Sequence, residues 1–216
     1  MKNFPYEIVT SLMLLNFATP QINNCVGQEV GGPLFEAVKS GKVKNVENLL
    51  AKGADINEKT EKKIDIFPAG MTSLHMAAYK DNVAITSLLL KNGGDANIKT
   101  ESQTDIIPSG MSPLHIASYK GNTAIIKLLI DNGADINVQT ESQTDLFPEG
   151  MTSLHMASIY GHYNAVKLLL DKGADVDVVA KNGNTPLHLA CEYGNTEAII
   201  DLLLENVADV KAKITK

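Results

Sequence analysis

His75, His115, His155 and His188 recur once in each of four similar segments, each three residues after a Thr or Ser. Imidazole is a common metal ligand and general base. A shared zinc ion would need the nitrogens about 2.0–2.1 Å from one centre. Packed helices lie roughly 8–10 Å apart, too far for adjacent copies to share an ion. The once-per-segment spacing therefore favours a structural role, with each imidazole hydrogen-bonded to a neighbouring loop. Asp55, Asp95, Asp135 and Asp175 recur just as regularly, each after Gly-Ala or Gly-Gly. A short carboxylate in that setting forms turns more often than it does catalysis. Cys25 and Cys191 are too far apart in sequence for a metal-ligand motif or a disulfide framework. Cys191 follows Ala190 and is expected to be a small buried thiol on an inner helix. The chain shows no phosphate-cradling glycine loop and no nucleophile elbow. We expect no enzyme activity, no metal and no cofactor.

The segments holding these residues are copies of one another. Residues 110–149 nearly match residues 70–109, and 150–180 continue the same text. A period of this size marks a stacked repeat array. Four openings are Thr72-Ser73-Leu74-His75, Ser112-Pro113-Leu114-His115, Thr152-Ser153-Leu154-His155 and Thr185-Pro186-Leu187-His188. Their first residue is a hydroxyl N-cap, and Pro in second place is preset for the first helical turn. Small residues follow (Ala77-Ala78, Ala117-Ser118, Ala157-Ser158, Ala190) and let helices approach closely. Second helices carry Leu88-Leu89-Leu90, Leu128-Leu129-Ile130, Leu168-Leu169-Leu170 and Leu202-Leu203-Leu204. Each buried Leu is worth about 1.5–3 kcal/mol. A single unit cannot bury both of its apolar sides; stacking does.

The text G-x-T/S-x-L-H-x-A, then G-N or G-H, then L-L-L-x-x-G-A-D-x-N resembles the ankyrin-repeat family. The resemblance implies a mainly α fold: an ankyrin-repeat solenoid of helix-turn-helix units with β-hairpin fingers and a cupped face. It covers residues 31–210, with units at about 31–69, 70–109, 110–149, 150–182 and 183–210. His162, at the family's Gly-His position, is expected to be structural as well. Two departures carry consequences. Asp81 stands where other units have Gly41, Gly121, Gly161 and Gly194, and Val207 replaces the Gly that should stop the last helix. A left-handed Asp81 would be strained, and the helix before Val207 would fray or end differently. Moreover, Gly70, Gly110 and Gly150 are spaced by forty residues, whereas Gly150 to Gly183 is thirty-three. The additions enlarge three fingers, at 60–68, 100–108 and 140–148. Thr, Ile and Phe favour extended backbone, and Pro limits the strand it enters.

The resemblance implies a protein partner held by fingers and inner helices. Matching positions are Met71, Met111, Met151 and Asn184, then Tyr79-Lys80, Tyr119-Lys120, Ile159-Tyr160 and Glu192-Tyr193. Met and Tyr suit such a face, although the same residues could pack between units. Phe67, Ile107 and Phe147 in the fingers could form an exposed comb or an apolar ladder. Three exposed apolar tips in line would invite aggregation, which favours the ladder.

All 19 positive residues are Lys, and the net charge is -6. Without Arg there is no bidentate fork for phosphate or guanine, so nucleic acid and anionic membranes are disfavoured partners. We expect a cytoplasmic monomer. Residues 1–30 lie outside the repeat. They read as a capping helix (Phe4, Ile8, Leu12 and Leu15 on one face) with a linker, or as a signal peptide, which would make the protein secreted, an exported effector or inhibitor acting on a target enzyme. Phe4-Pro5-Tyr6-Glu7-Ile8 resembles only the opening of an F-box. The apolar run Ile8 to Ala18 is too short to span a bilayer. Residues 211–216 read as a polar tail.

Overall fold

The computed structural model describes residues 31–63 and 67–206. The expectations for residues 1–30, Cys25, Val207 and the tail 211–216 lie outside the described residues. Ten helices follow in pairs: α1 (Pro33–Lys39), α2 (Val43–Ala51), α3 (Ser73–Tyr79), α4 (Val83–Lys91), α5 (Pro113–Lys120), α6 (Thr123–Asp131), α7 (Ser153–Ile159), α8 (Tyr163–Asp171), α9 (Pro186–Glu192) and α10 (Glu197–Asn206). Odd-numbered helices form an inner row and even-numbered helices an outer row, each in contact with its counterparts and its own partner. One apolar core runs through the stack, including Leu74, Leu114, Leu154, Leu89, Leu129 and Leu169.

Helices this short are marginal alone and need caps and packing. The inner helices α3, α5, α7 and α9 begin with a reciprocal capping box, whereas α1 follows Gly32 with no side-chain cap. The Ser112 hydroxyl accepts the N–H of His115, and His115 Nδ1 accepts the Ser112 N–H at 3.1 Å. Thr72 with His75, Thr152 with His155, and Thr185 with His188 repeat it. Here His plays the part usually given to Glu. Outer helices α4 and α6 are capped by Asn82 and Asn122, whose side chains accept the N–H of Ile85 and Ile125.

The turn joining inner to outer helix needs left-handed backbone. Asp81 adopts φ 53, as the glycine pattern predicts, and is the non-glycine residue with positive φ among the described residues. Its carboxylate meets Lys120 Nζ at 3.6 Å, which offsets part of the strain. At Gly121 (φ 71) there is no such room. A Cβ would stand 2.6 Å from the His162 ring, whose Nε2 is bonded to the Tyr119 carbonyl. Gly121→Ala should therefore lose roughly 2–4 kcal/mol of stability, read as a lower denaturation midpoint.

The expected β-hairpin fingers are not confirmed: among the described residues the regular elements are helices, with a bridge at Phe67. Each long finger is pinned at its base by Thr. Thr60 N–H donates to the Met71 carbonyl, Gly70 N–H to the Thr60 carbonyl, and Met71 N–H to Thr60 Oγ1, at 2.8, 2.8 and 3.1 Å. Thr100 and Thr140 do the same with Met111 and Met151. A side-chain oxygen takes a bond that a strand ladder would use, and Pro68, Pro108 and Pro148 supply no N–H. Neighbouring fingers are stitched together. Glu101 N–H donates to the Ala69 carbonyl, and Ala69 N–H to Ser102 Oγ; Glu141, Ser109 and Ser142 repeat this.

Candidate functional site

The inner helices end at one aromatic row. Tyr79 closes α3, Tyr119 is the last residue but one of α5, and Tyr160 and Tyr193 follow α7 and α9 directly; all four are partly exposed. The enlarged fingers fold back onto this row. Phe67 meets Tyr79 edge-on with ring centres 4.8 Å apart, and Phe147 lies 6.4 Å from Tyr160. Tyr119 and Tyr160 are themselves edge-to-face at 4.6 Å. Phe67 and Phe147 are buried and Ile107 partly so, packed against the core. These residues are packed inward and form no exposed comb. Burial pushes the pKa of the Tyr79, Tyr160 and Tyr193 phenols up; neighbouring Tyr119 adds for the first two and Glu192 for the third. Their hydroxyls stay neutral at physiological pH.

Polar groups border the row. Lys120 Nζ sits 5.3 Å above the Tyr79 ring centre while paired with Asp81. Lys80 and Glu192 are exposed, and Asn184 is partly so, with its amide 3.4 Å from the Glu192 carboxylate.

Four expected contact residues are placed otherwise. Met71, Met111, Met151 and Ile159 are 1%, 6%, 0% and 3% exposed. The finger Thr clamps both the N–H and the carbonyl of each Met, and the side chain lies in the apolar core of the stack. These side chains pack the stack and have no surface to offer. Cys191 is corrected in the opposite sense: it is exposed, whereas its counterparts Ala78, Ser118 and Ser158 are fully buried. They are covered by the following helix pair, and Cys191 has no such cover among the described residues.

The histidines join units. His75 Nε2 donates to the Met111 carbonyl (3.1 Å), His115 to Met151 (3.0 Å) and His155 to Asn184 (3.2 Å). A carbonyl at Nε2 fixes the proton there and leaves Nδ1 bare to accept the capping N–H. Burial, opposed only in part by these bonds, lowers each of the three to a pKa of about 4. With both nitrogens engaged, these rings are not available to a metal. Asparagines form a second seam: Asn57, Asn97 and Asn137 side chains accept the N–H of Asp95, Asp135 and Asp175 in the next unit. The sequence reading missed the Thr and Ser stitches of the fingers. Their signal was present in the constant eleven-residue step from Thr60, Thr100 and Thr140 to the Met they clamp.

A linear stack of helix pairs, joined by side chains that reach from each unit to the next, defines an α-helical repeat solenoid. A family model described as ankyrin repeats (3 copies) matches residues 34–140 and 139–214, so the chain belongs to the ankyrin-repeat family. Ankyrin repeats are in general protein–protein interaction modules. No curated protein matches the chain. Among the described residues no helix is long and apolar enough to cross a membrane.

Proposed function

We propose that this chain is a non-enzymatic module that binds a protein along the aromatic row. The contact residues are those with surface to offer: Tyr79, Lys80, Tyr119, Lys120, Tyr160, Asn184, Glu192 and Tyr193. The observation that carries the reading is one partly exposed Tyr at the end of each of four successive inner helices, with the Tyr119 and Tyr160 rings in contact. Tyr presents apolar area with a polar tip at low entropic cost, the make-up of interface anchors. Phe67 and Phe147 of the long fingers pack against Tyr79 and Tyr160, which favours a pre-organised surface. The finger joining the last two pairs is short, so Tyr193, Glu192 and Asn184 form the open end of the row.

The test is quantitative capture from the native extract by intact chain and by a Tyr119→Ala, Tyr193→Ala double variant. Loss of the captured species, with the melting curve retained, is the expected result. Unchanged capture rejects this face, and turnover of a substrate by the purified chain rejects the non-enzymatic reading.

A further inference from the structure

The aromatic row is built junction by junction. Four places after each capping His stand Tyr79, Tyr119, Ile159 and Glu192, and five places after it stand Lys80, Lys120, Tyr160 and Tyr193. The fifth-place residue of one unit meets the fourth-place residue of the unit before. Lys120 Nζ lies 5.3 Å from the Tyr79 ring centre, and the Tyr160 and Tyr119 ring centres are 4.6 Å apart. Tyr193 is close enough to Tyr160 to add to the upward push on its pKa, after burial and Tyr119. Tyr side chains thus recur along the stack at the step between inner helices, about 8–10 Å. An extended strand repeats on one face at about 6.6–6.8 Å and falls out of step with them. A polyproline II helix repeats every three residues, about 9.3 Å, and keeps step. An α-helix nearly keeps step, at about 10.5 Å per seven residues, but its carbonyls are already bonded within it. That difference matters here. Burial keeps the Tyr79, Tyr160 and Tyr193 phenols protonated, and their hydroxyls have no hydrogen-bond partner among the described residues. Polyproline II carbonyls have no internal partner and can accept from them.

Charge fixes the two ends of the occupant. Lys80 follows Tyr79 and Glu192 precedes Tyr193; both are exposed, and neither has an ion pair among the described residues. Lys120, between them, is already paired with Asp81. Lys80 and Glu192 stand three inner-helix steps apart, about 24–30 Å, the length of about eight to ten polyproline II residues. We propose that the aromatic row takes a proline-rich segment of a protein partner, held as a polyproline II helix, with proline at every third residue and one acidic and one basic residue about nine positions apart at its ends. Each proline ring lies on one Tyr of the row, and carbonyls between them accept the phenol protons. The acidic end meets Lys80 and the basic end meets Glu192, which sets the direction of the segment along the stack. This inference rests on the reading of the row as a protein-binding face and adds the chemistry of what binds there.

The probe is the fluorescent peptide Asp-Pro-Ala-Ala-Pro-Ala-Ala-Pro-Ala-Lys, titrated with the full chain and followed by anisotropy. Wild type and Lys91→Glu, a control with the same charge change at an exposed outer-helix position, should bind it alike. The same composition with proline in the second, fourth and ninth places should bind about tenfold more weakly or worse. Lys80→Glu should weaken the probe about fivefold and should strengthen, by a similar factor, a version with Lys at both ends. Binding that ignores proline spacing, or no saturable binding, overturns the proposal. So does tighter binding of an α-helical peptide with Leu at every seventh place, which would make the occupant a helix. So does displacement of the probe by a peptide of residues 1–30, which would make that segment the occupant. Capture from the native extract separates this inference from the reading beneath it. If the Tyr119→Ala, Tyr193→Ala variant loses the captured species while the proline probe fails, the occupant alone is wrong. If capture is unchanged, the row itself is not the binding face.

Discussion

Lowering the pH from 7 to 5 should cost the folded chain of the order of 5 kcal/mol, before most carboxylates begin to titrate. His75, His115 and His155 carry folded pKa values of about 4 against an ordinary 6.5. The unfolded chain therefore takes up three protons as pH falls below about 6.5, while the folded chain takes them up only near 4. Protons bind preferentially to the unfolded state, so stability is full above the ordinary value and declines through this window. Each group contributes a slope of about 1.4 kcal/mol per pH unit, and the sum is an upper bound. The geometry explains why the folded state resists. A proton on Nδ1 would point at the main-chain N–H of Thr72, Ser112 or Thr152, and the resulting cation would be buried. Urea denaturation at pH 7, 6 and 5 reads the slope, and His115→Gln should remove about a third of it. A midpoint that holds constant from pH 7 to 5 contradicts the assignment.

Met151→Ala should lower stability by about 2–5 kcal/mol, the range for emptying a fully buried large site. Met151 is 0% exposed and its carbonyl receives the His115 proton, so its side chain and backbone both serve the junction between units. Truncation leaves a void bounded by neighbouring units, which can collapse only by shifting the stack. Lys120→Ala provides the contrast. It removes a partly exposed pair with Asp81 and a cation over the Tyr79 ring, and its effect should stay near 1 kcal/mol. Equal losses in the two variants would mean that the Met row is a surface feature after all. Thermal and urea unfolding give the comparison directly.

The two variants also mark the boundary of what the chain's text could reveal. The period, the hydroxyl caps, the glycine turns and the left-handed Asp81 were legible because each is a local requirement on the backbone, met within a few residues of its signal. So was the repeat solenoid, since apolar faces recurring at a fixed step leave no other way of hiding themselves. The sides of the Met and Tyr rows were not legible. Both are apolar, both recur once per unit, and neither periodicity nor composition states which way a unit leans against its neighbour. Stacking turned Met71, Met111 and Met151 inward and left the tyrosines partly exposed. It folded Phe67 and Phe147 onto those tyrosines. It also exposed Cys191, a position that is buried wherever another pair follows. The sequence alone determined which residues each unit repeats; only the tertiary structure decided which of them meet another unit. That choice depends on the direction of stacking, set by contacts between residues dozens of positions apart.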